Sequence, residues 1–305
     1  MVDLSKSSTT QTTDKDAIWP RASHWCRKAP FTGMSGRLTA TLRVTLVSGV
    51  LALTACQTTG PLDENGKGPT DPAAAARNRT AIAAEYIRQG ELDAAKRNLE
   101  QALEANPKSA QANNMMGILL QREGSEPNLV KAEAYYRKAI SLQKDYAQAH
   151  NNYGVYLSER KRLKEALAEF SIAASTLGYE ERGSALENLG RIQLQLGNPE
   201  GAEKSFMQAL QVNRDSLVSR FELAELLLTQ GKLSTASDLY DDYLRLLGAN
   251  PQGARSLWLG MRIAMAQHDT DRFRTLADRL RLEFPDSPEF RDYQRQAAAM
   301  GGAWN

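Results

Sequence analysis

Residues 149–170 read AHNNYGVYLSERKRLKEALAEF and contain the pattern that decides the fold. A small residue, Gly154, is followed by a polar turn, then by Ala166, and then by the large Phe170. Two antiparallel helices approach closely only where small residues face each other, and a bulky side chain then fills the adjacent gap. The stretch therefore predicts two packed helices joined by a short turn.

The same pattern recurs through most of the chain, and a fixed period of this kind indicates stacked repeats. Arg272 replaces the alanine of the second helix in the last repeat, which we expect to cap the array. Extra residues at 126–128 predict a longer turn in the second repeat. The first helix carries its small residue at Ala83, Gly117, Gly154, Gly190, Ala224 and Gly260, and the second helix its large residue at Leu99, Tyr136, Phe170, Phe206, Tyr240 and Leu276.

This period resembles the tetratricopeptide repeat of about 34 residues. The resemblance implies an all-α fold, a right-handed α-solenoid of six helix-turn-helix pairs, in which the first helices line a concave groove. We expect the repeat region to span residues 76–285 and a C-terminal cap to span 286–305. The six repeats are predicted at 76–109, 110–146, 147–180, 183–216, 217–250 and 253–286.

The composition argues against several classes of function. The formal charge is +2, with basic residues spread among acidic ones, so nothing favours a nucleic-acid partner. Cys26, Cys56 and three separated histidines offer neither a disulfide framework nor a metal site. No phosphate-binding loop or nucleophile motif occurs. We therefore expect a binding surface rather than an enzyme, with no small-molecule substrate.

The N-terminal part carries an export pattern. The apolar run at 44–53 is too short to span a bilayer and fits a signal-peptide core, with Arg37 and Arg43 before it. It ends in Leu53-Thr-Ala-Cys56, which resembles a bacterial lipobox. That resemblance implies cleavage before Cys56 and acylation of its thiol and its new amine. Several acyl chains anchor a protein firmly in a membrane. Apart from this covalent lipid on Cys56, we expect no cofactor.

The segments around Cys56 follow from that interpretation. Residues 1–33 show no helical or strand period, so we take Met34 as the true start and 34–55 as the signal peptide. Residues 56–75 contain the lipidated cysteine and a flexible tether rich in Gly, Pro, Thr and Asp. Gln57, rather than Asp, follows the cysteine, which suggests sorting to the periplasmic face of the outer membrane.

The repeat register also predicts a partner-binding groove, because the fifth, ninth and twelfth positions of each first helix point inward. Asparagine amides there can hydrogen-bond an extended peptide, although asparagine is common at this position and often contacts only water. The apolar Phe221, Leu228, Leu257 and Met261 are expected to pack under the C-terminal segment 286–305 rather than to bind a helix. The predicted groove residues are Ile87, Asn114, Ile118, Asn151, Val155, Glu187 and Arg191.

A lipobox, a tether and six repeats, together with the stretch at 149–170, resemble the PilF/PilW family of type IV pilus biogenesis lipoproteins. The resemblance implies a pilotin, which helps secretin subunits reach the outer membrane and multimerise there, and so supports twitching motility. The secretin subunit would be the partner. The alternative is a general periplasmic scaffold for outer-membrane protein assembly or for peptidoglycan enzymes, which also use lipidated tetratricopeptide repeats.

Overall fold

A computed structural model describes residues 71–299, which form thirteen helices and no strand. Consecutive helices pack as pairs, and each pair packs against the next, so the all-α solenoid of six repeats is confirmed. The helices are α1 (Pro72–Gln89), α2 (Leu92–Ala105), α3 (Ala110–Glu123), α4 (Glu126–Leu142), α5 (Ala147–Glu159), α6 (Leu163–Ser175), α7 (Arg182–Gln195), α8 (Pro199–Val212), α9 (Leu217–Thr229), α10 (Leu233–Leu247), α11 (Ala254–Ala266), α12 (Thr270–Glu283) and α13 (Pro288–Ala299).

The contact between the small and the large residue closes each helix pair. A Cβ atom added to Gly154 would lie 2.7 Å from the Phe170 ring, and one added to Gly190 would lie 2.7 Å from Phe206. Both phenylalanines are fully buried. The aromatic ring therefore occupies the space that a side chain on the first helix would need, and this contact sets the distance between the two helices.

The last repeat departs from this arrangement. Gly260 faces Leu276 of its own repeat, but it lies closer still to Tyr240 of the preceding repeat. The Tyr240 hydroxyl donates a hydrogen bond to the Ser256 carbonyl oxygen at 2.8 Å. Arg272, which replaces the small alanine, is partly exposed and forms an ion pair at 2.8 Å with an aspartate of α10. The large residue of repeat five thus fills part of the gap in repeat six.

The turn of repeat two is short, so the predicted longer turn was wrong. Only Gly124, with φ 73°, and Ser125 separate α3 from α4. The Ser125 hydroxyl accepts a hydrogen bond from the backbone N–H of Asn128, and Pro127 suits the first helical turn because its fixed φ is already helical. The extra residues therefore lengthen α4, which has 17 residues, instead of the turn.

The C-terminal segment covers the end of the solenoid. Phe290 and Tyr293 of α13 pack against the apolar cluster of α11 and α12, which includes the buried Leu257 and Met261. The rings of Phe273 and Tyr293 lie 6.0 Å apart. Leu257 and Met261 are therefore covered by the C-terminal segment, as expected. Phe221 and Leu228 are not, because they pack against α10 and α11 instead.

The predicted N-terminal segments, 1–33, 34–55 and the lipidated cysteine at position 56, lie outside the described residues, and so does most of the predicted tether. The first helix begins at Pro72, and the Asp71 side chain caps it by accepting from the backbone N–H of Ala73 at 2.9 Å. The repeat domain thus begins a few residues before the predicted boundary at 76.

The buried His150 of α5 links this helix to α6 and to the loop that precedes α5. His150 Nδ1 lies 2.6 Å from a carboxylate oxygen of Glu169, and Nε2 lies 2.9 Å from the carbonyl oxygen of Lys144. Both neighbours are acceptors, so both ring nitrogens can donate only in the imidazolium form. Burial lowers the pKa of His150, but the Glu169 carboxylate and the Lys144 carbonyl raise it more, and the pKa lies above its usual value.

We expect Gly154→Ala to lower the free energy of unfolding by about 1–2 kcal/mol, because overpacking against Phe170 outweighs the gain in helix propensity. Urea denaturation followed by circular dichroism measures it. Gly253→Ala is the control, since no atom lies within 4 Å of its added Cβ, and should change stability by less than about 0.5 kcal/mol. Replacing Phe170 by Leu in the Gly154→Ala background should recover part of the loss. Equal stability of the two glycine variants would contradict the packing argument.

We expect the stabilisation from His150 to depend on pH. A raised pKa in the folded state stabilises the fold below the unfolded pKa of about 6.5, and this contribution is lost as the pH rises through the folded-state pKa. The difference in unfolding free energy between wild type and His150→Gln, on the order of 1 kcal/mol, should therefore be largest in mildly acidic buffer and shrink above about pH 6.5. Glu169→Gln should likewise make the unfolding free energy depend less on pH than it does in the wild type. A difference that stays constant with pH would exclude the charged pair.

Candidate functional site

The predicted groove residues fall into two groups on the first helices. The buried group comprises Ile87, Asn114, Asn151 and Glu187, and the partly exposed group comprises Ile118, Val155 and Arg191. A partner on this face would meet the second group first. The seven residues thus lie on the first helices of four successive repeats, α1, α3, α5 and α7. Their role in binding a partner stays a prediction.

The buried polar residues of this set connect neighbouring repeats. The Asn151 side-chain oxygen accepts a hydrogen bond from the Asn188 amide at 3.1 Å, and the Asn114 oxygen accepts one from Asn152 at 3.2 Å. One carboxylate oxygen of Glu187 accepts a hydrogen bond from the Ser219 hydroxyl at 2.9 Å. A buried polar group is costly unless it is hydrogen-bonded, so these pairs stabilise the stacking of one repeat on the next.

Some hydrogen-bonding capacity on this face stays unused within the described part of the chain. The Asn114 amide nitrogen, the Ser158 hydroxyl and the Asn188 side-chain oxygen are buried and have no hydrogen-bond partner there. Leaving such a group unsatisfied costs about 1–3 kcal/mol. A buried water molecule would remove that penalty. Ile118 and Val155, on the same helices as Asn114 and Ser158, pack at the edge of the core with part of their apolar surface exposed.

Further along the same face, the neutral hydrogen bonds give way to an ion network that joins α7, α9 and α11. Glu222, whose side chain is 5% exposed, forms ion pairs with Arg191 at 3.0 Å and with Arg255 at 2.8 Å. Glu225 pairs with Arg255 at 2.6 Å and with Arg262 at 3.2 Å. Three arginines therefore share two carboxylates across three repeats.

Glu222 is the centre of that network. Burial alone would raise the pKa of Glu222, but hydrogen bonds and charge from Arg255, and then from Arg191, lower it more, so the pKa lies below its usual value. The carboxylate is held ionised at neutral pH. Arg255 also lies over the Phe221 ring, with 4.8 Å between the guanidinium carbon and the ring centroid. Arg191, predicted as a groove residue, is thus committed to an ion pair between repeats.

Sequence reasoning missed most of this network. It selected Arg191 but not Glu222, Arg255 or Arg262. A usable signal was present, because Arg191 and Glu222 are 31 residues apart and Glu222 and Arg255 are 33 apart, which is close to one repeat period. Opposite charges at that spacing on first helices are placed to meet across adjacent repeats.

The described residues contain neither a cluster of metal-binding side chains nor a helix suited to crossing a membrane. Between residues 71 and 299, no group of three or more His, Cys, Asp or Glu side chains is placed to hold a metal ion. Within the same range, no helix combines the length and the apolar character that crossing a membrane requires.

We expect Glu222→Ala to lower the free energy of unfolding by about 2–4 kcal/mol, because it leaves Arg191 and Arg255 without their shared buried carboxylate. Glu283→Ala is the matched control. It removes a carboxylate that pairs with Arg279 at 2.8 Å on an exposed helix face, and it should cost far less stability. Urea denaturation of both variants measures the difference, and equal losses would show that the buried network contributes no more than a surface pair.

Comparison with known proteins places this geometry in a family. The family model described as tetratricopeptide repeat matches residues 80–127, 130–181 and 187–254. The chain is 35% identical over 211 residues to the type IV pilus assembly protein PilF of Pseudomonas aeruginosa, covering 69% of this chain and 81% of that protein.

Two solved structures agree with the sequence match. The structure of Pseudomonas aeruginosa PilF is similar with a TM-score of 0.69 and 31% identity, over 74% of this chain and 100% of that one. The crystal structure of PilW, a widely conserved type IV pilus biogenesis factor, is similar with a TM-score of 0.62 and 26% identity, over 72% of this chain and 98% of that one. The chain therefore belongs to the tetratricopeptide-repeat family and, within it, to the PilF/PilW family.

Proposed function

We propose that this protein acts in type IV pilus biogenesis as a pilotin, a lipoprotein that helps secretin subunits reach the outer membrane and multimerise. The observation that carries the proposal is the similarity to a type IV pilus assembly protein. The two sequences are 35% identical, and the match covers 81% of that protein. The protein would act by binding, with no reaction of its own, and its location would be the periplasmic face of the outer membrane.

The lipobox supports an anchor at Cys56. The first helix begins at Pro72, so residues 57–71, which number 71 − 56 = 15, separate the cysteine from the repeats. Even fully extended, a segment of this length reaches only about 50 Å. An acylated Cys56 would therefore hold the repeat domain close to the membrane surface, where secretin subunits have to arrive. Two or more acyl chains are needed for stable anchoring, and the lipobox implies that number.

The inner face of the repeats supports a peptide-binding role. The partly exposed Ile118 and Val155 lie on α3 and α5, the helices that also carry the unsatisfied Asn114 amide and Ser158 hydroxyl. Such apolar positions on an inner face suit an extended segment, whose side chains can bury against Ile118 and Val155. We propose this face, between repeats two and three, as the place where the secretin subunit is held.

The first experiment compares secretin multimers on an unboiled gel of outer membranes from the native host. Deletion of the gene should abolish the multimers. Cys56→Ala should leave them scarce or in the wrong membrane, because the repeat domain folds but is not anchored. Cys26→Ala is the matched control, since it removes the other cysteine of the chain, upstream of the proposed start at Met34, and should behave as wild type.

Unchanged secretin in both the deletion and the Cys56→Ala strain would refute the pilotin role and favour the general periplasmic scaffold. Loss of multimers on deletion but normal multimers with Cys56→Ala would keep the pilus role and remove the lipid from the mechanism.

A further inference from the structure

The outer side of the solenoid has an open cleft between repeats four and five. It lies between α8 and α10 and has a volume of about 600 Å³. Its apolar lining consists of Met207, Leu210, Leu223, Leu227 and Leu239, and the Met207 side chain is 49% exposed. An apolar cleft of this size on an exposed face indicates a binding site more often than an accident of packing.

The corresponding position between repeats two and three is closed by polar contacts. The Tyr153 hydroxyl donates a hydrogen bond to Glu133 at 2.9 Å and accepts one from Arg137 at 3.0 Å. Arg162, at the start of α6, reaches the same Glu133 carboxylate at 2.6 Å. The tyrosine ring and these side chains bridge α4 to α6, so this junction presents a charged surface without an apolar opening.

Repeats four and five keep one part of this bridge, the Lys232–Glu203 ion pair, but lack the tyrosine and the arginine that complete it. Counting from the small residue of each first helix, Gly154 and Ala224, Leu223 stands where Tyr153 stands in repeat three. Counting from the large residue of each second helix, Met207 stands where Arg137 stands. Neither leucine nor methionine can form the bridge, and the space that the bridge would fill is left open and apolar. Methionine at such a place suits a docking site, because its flexible side chain adapts to different partners.

One end of the cleft carries unpaired positive charge. Arg214, which lines the cleft, is exposed and forms no ion pair with any described residue.

The other end is electrically neutral. The Lys232 ammonium group at the start of α10 pairs with the Glu203 carboxylate in the first turns of α8 at 3.0 Å. From Glu203 to Gln211 the cleft follows eight helical steps, about 12 Å at 1.5 Å per residue. The cleft is thus apolar along its floor, neutral at one end and cationic at the other.

We propose that this cleft binds an amphipathic helix of a partner protein, about two turns long, with apolar side chains on one face and acidic residues at its C-terminal end. The apolar face contacts Met207 and Leu239. The acidic end lies against Arg214, where the negative end of the helix dipole adds to the attraction. The cleft is on the second helices, away from the inner face proposed for the secretin, and the inference does not depend on the pilus role.

The test uses the full chain, labelled with ¹³C at its methionine methyl groups and purified from the cells that make it. The probe is a synthetic amphipathic peptide of about twelve residues with leucines on one face and glutamates at its C-terminus. Addition of this peptide should shift the Met207 methyl resonance, which is assigned by its loss in Met207→Leu. A peptide with lysines in place of the glutamates, and a peptide with serines in place of the leucines, should bind about tenfold more weakly or not at all.

Three variants locate the site. Met207→Glu should weaken binding of the acidic peptide by about tenfold or more. Arg214→Glu should weaken the acidic peptide but not the lysine-ended one. Ser171→Glu, at the position on α6 that corresponds to Met207, is the matched control and should bind as wild type. Circular dichroism and thermal melting confirm that each variant folds.

Binding that is indifferent to Met207→Glu or to the sign of the peptide charge would overturn the proposal, and so would the absence of any shift at Met207. A concentration-dependent dimer in sedimentation experiments, lost in Met207→Glu, would show that a second copy of the chain occupies the cleft and would also overturn it. None of these readouts involves secretin, so the outcome here is separate from that of the pilotin experiment.

Discussion

The close approach of a small residue on one helix to a ring on the next is the contact on which the rest of the structure depends. Gly117, Gly154 and Gly190 each lie under the aromatic side chain of the second helix, with no room for a Cβ atom. This contact fixes the spacing of each pair, and identical pairs can then stack without adjustment. Where the pattern fails, in repeat six, Tyr240 reaches across to fill the gap left by the sequence.

Stacking uses a second kind of interaction, a row of polar contacts between successive first helices. It begins with amide pairs such as Asn151 and Asn188, and passes into the ion network around Glu222. The same row provides stability and limits recognition, because a side chain that bridges two repeats is not available to a partner. Recognition therefore falls to positions between the bridges, or to junctions at which a bridge is missing, such as the cleft beside Met207.

The prediction of the inner face shows what the repeat register can determine about a side chain. It assigns Ile118, Val155 and Asn114 to the inner side of the first helices, because the helical period fixes direction. Direction does not fix exposure. Asn114 is completely buried because the next repeat covers it, whereas Val155 stays partly open. Coverage depends on the neighbouring side chains and on the rotation between repeats, neither of which is contained in the register.

The sequence by itself determined the number of repeats and the small-to-large contacts, because these depend on short spacings within one helix pair. It also carries the lipobox at Cys56. Only the tertiary structure decided that Glu222 is shared by two arginines and that the junction beside Met207 is open. These features arise from contacts between residues about one repeat apart or more, and their geometry is set by how whole repeats stack rather than by any local pattern.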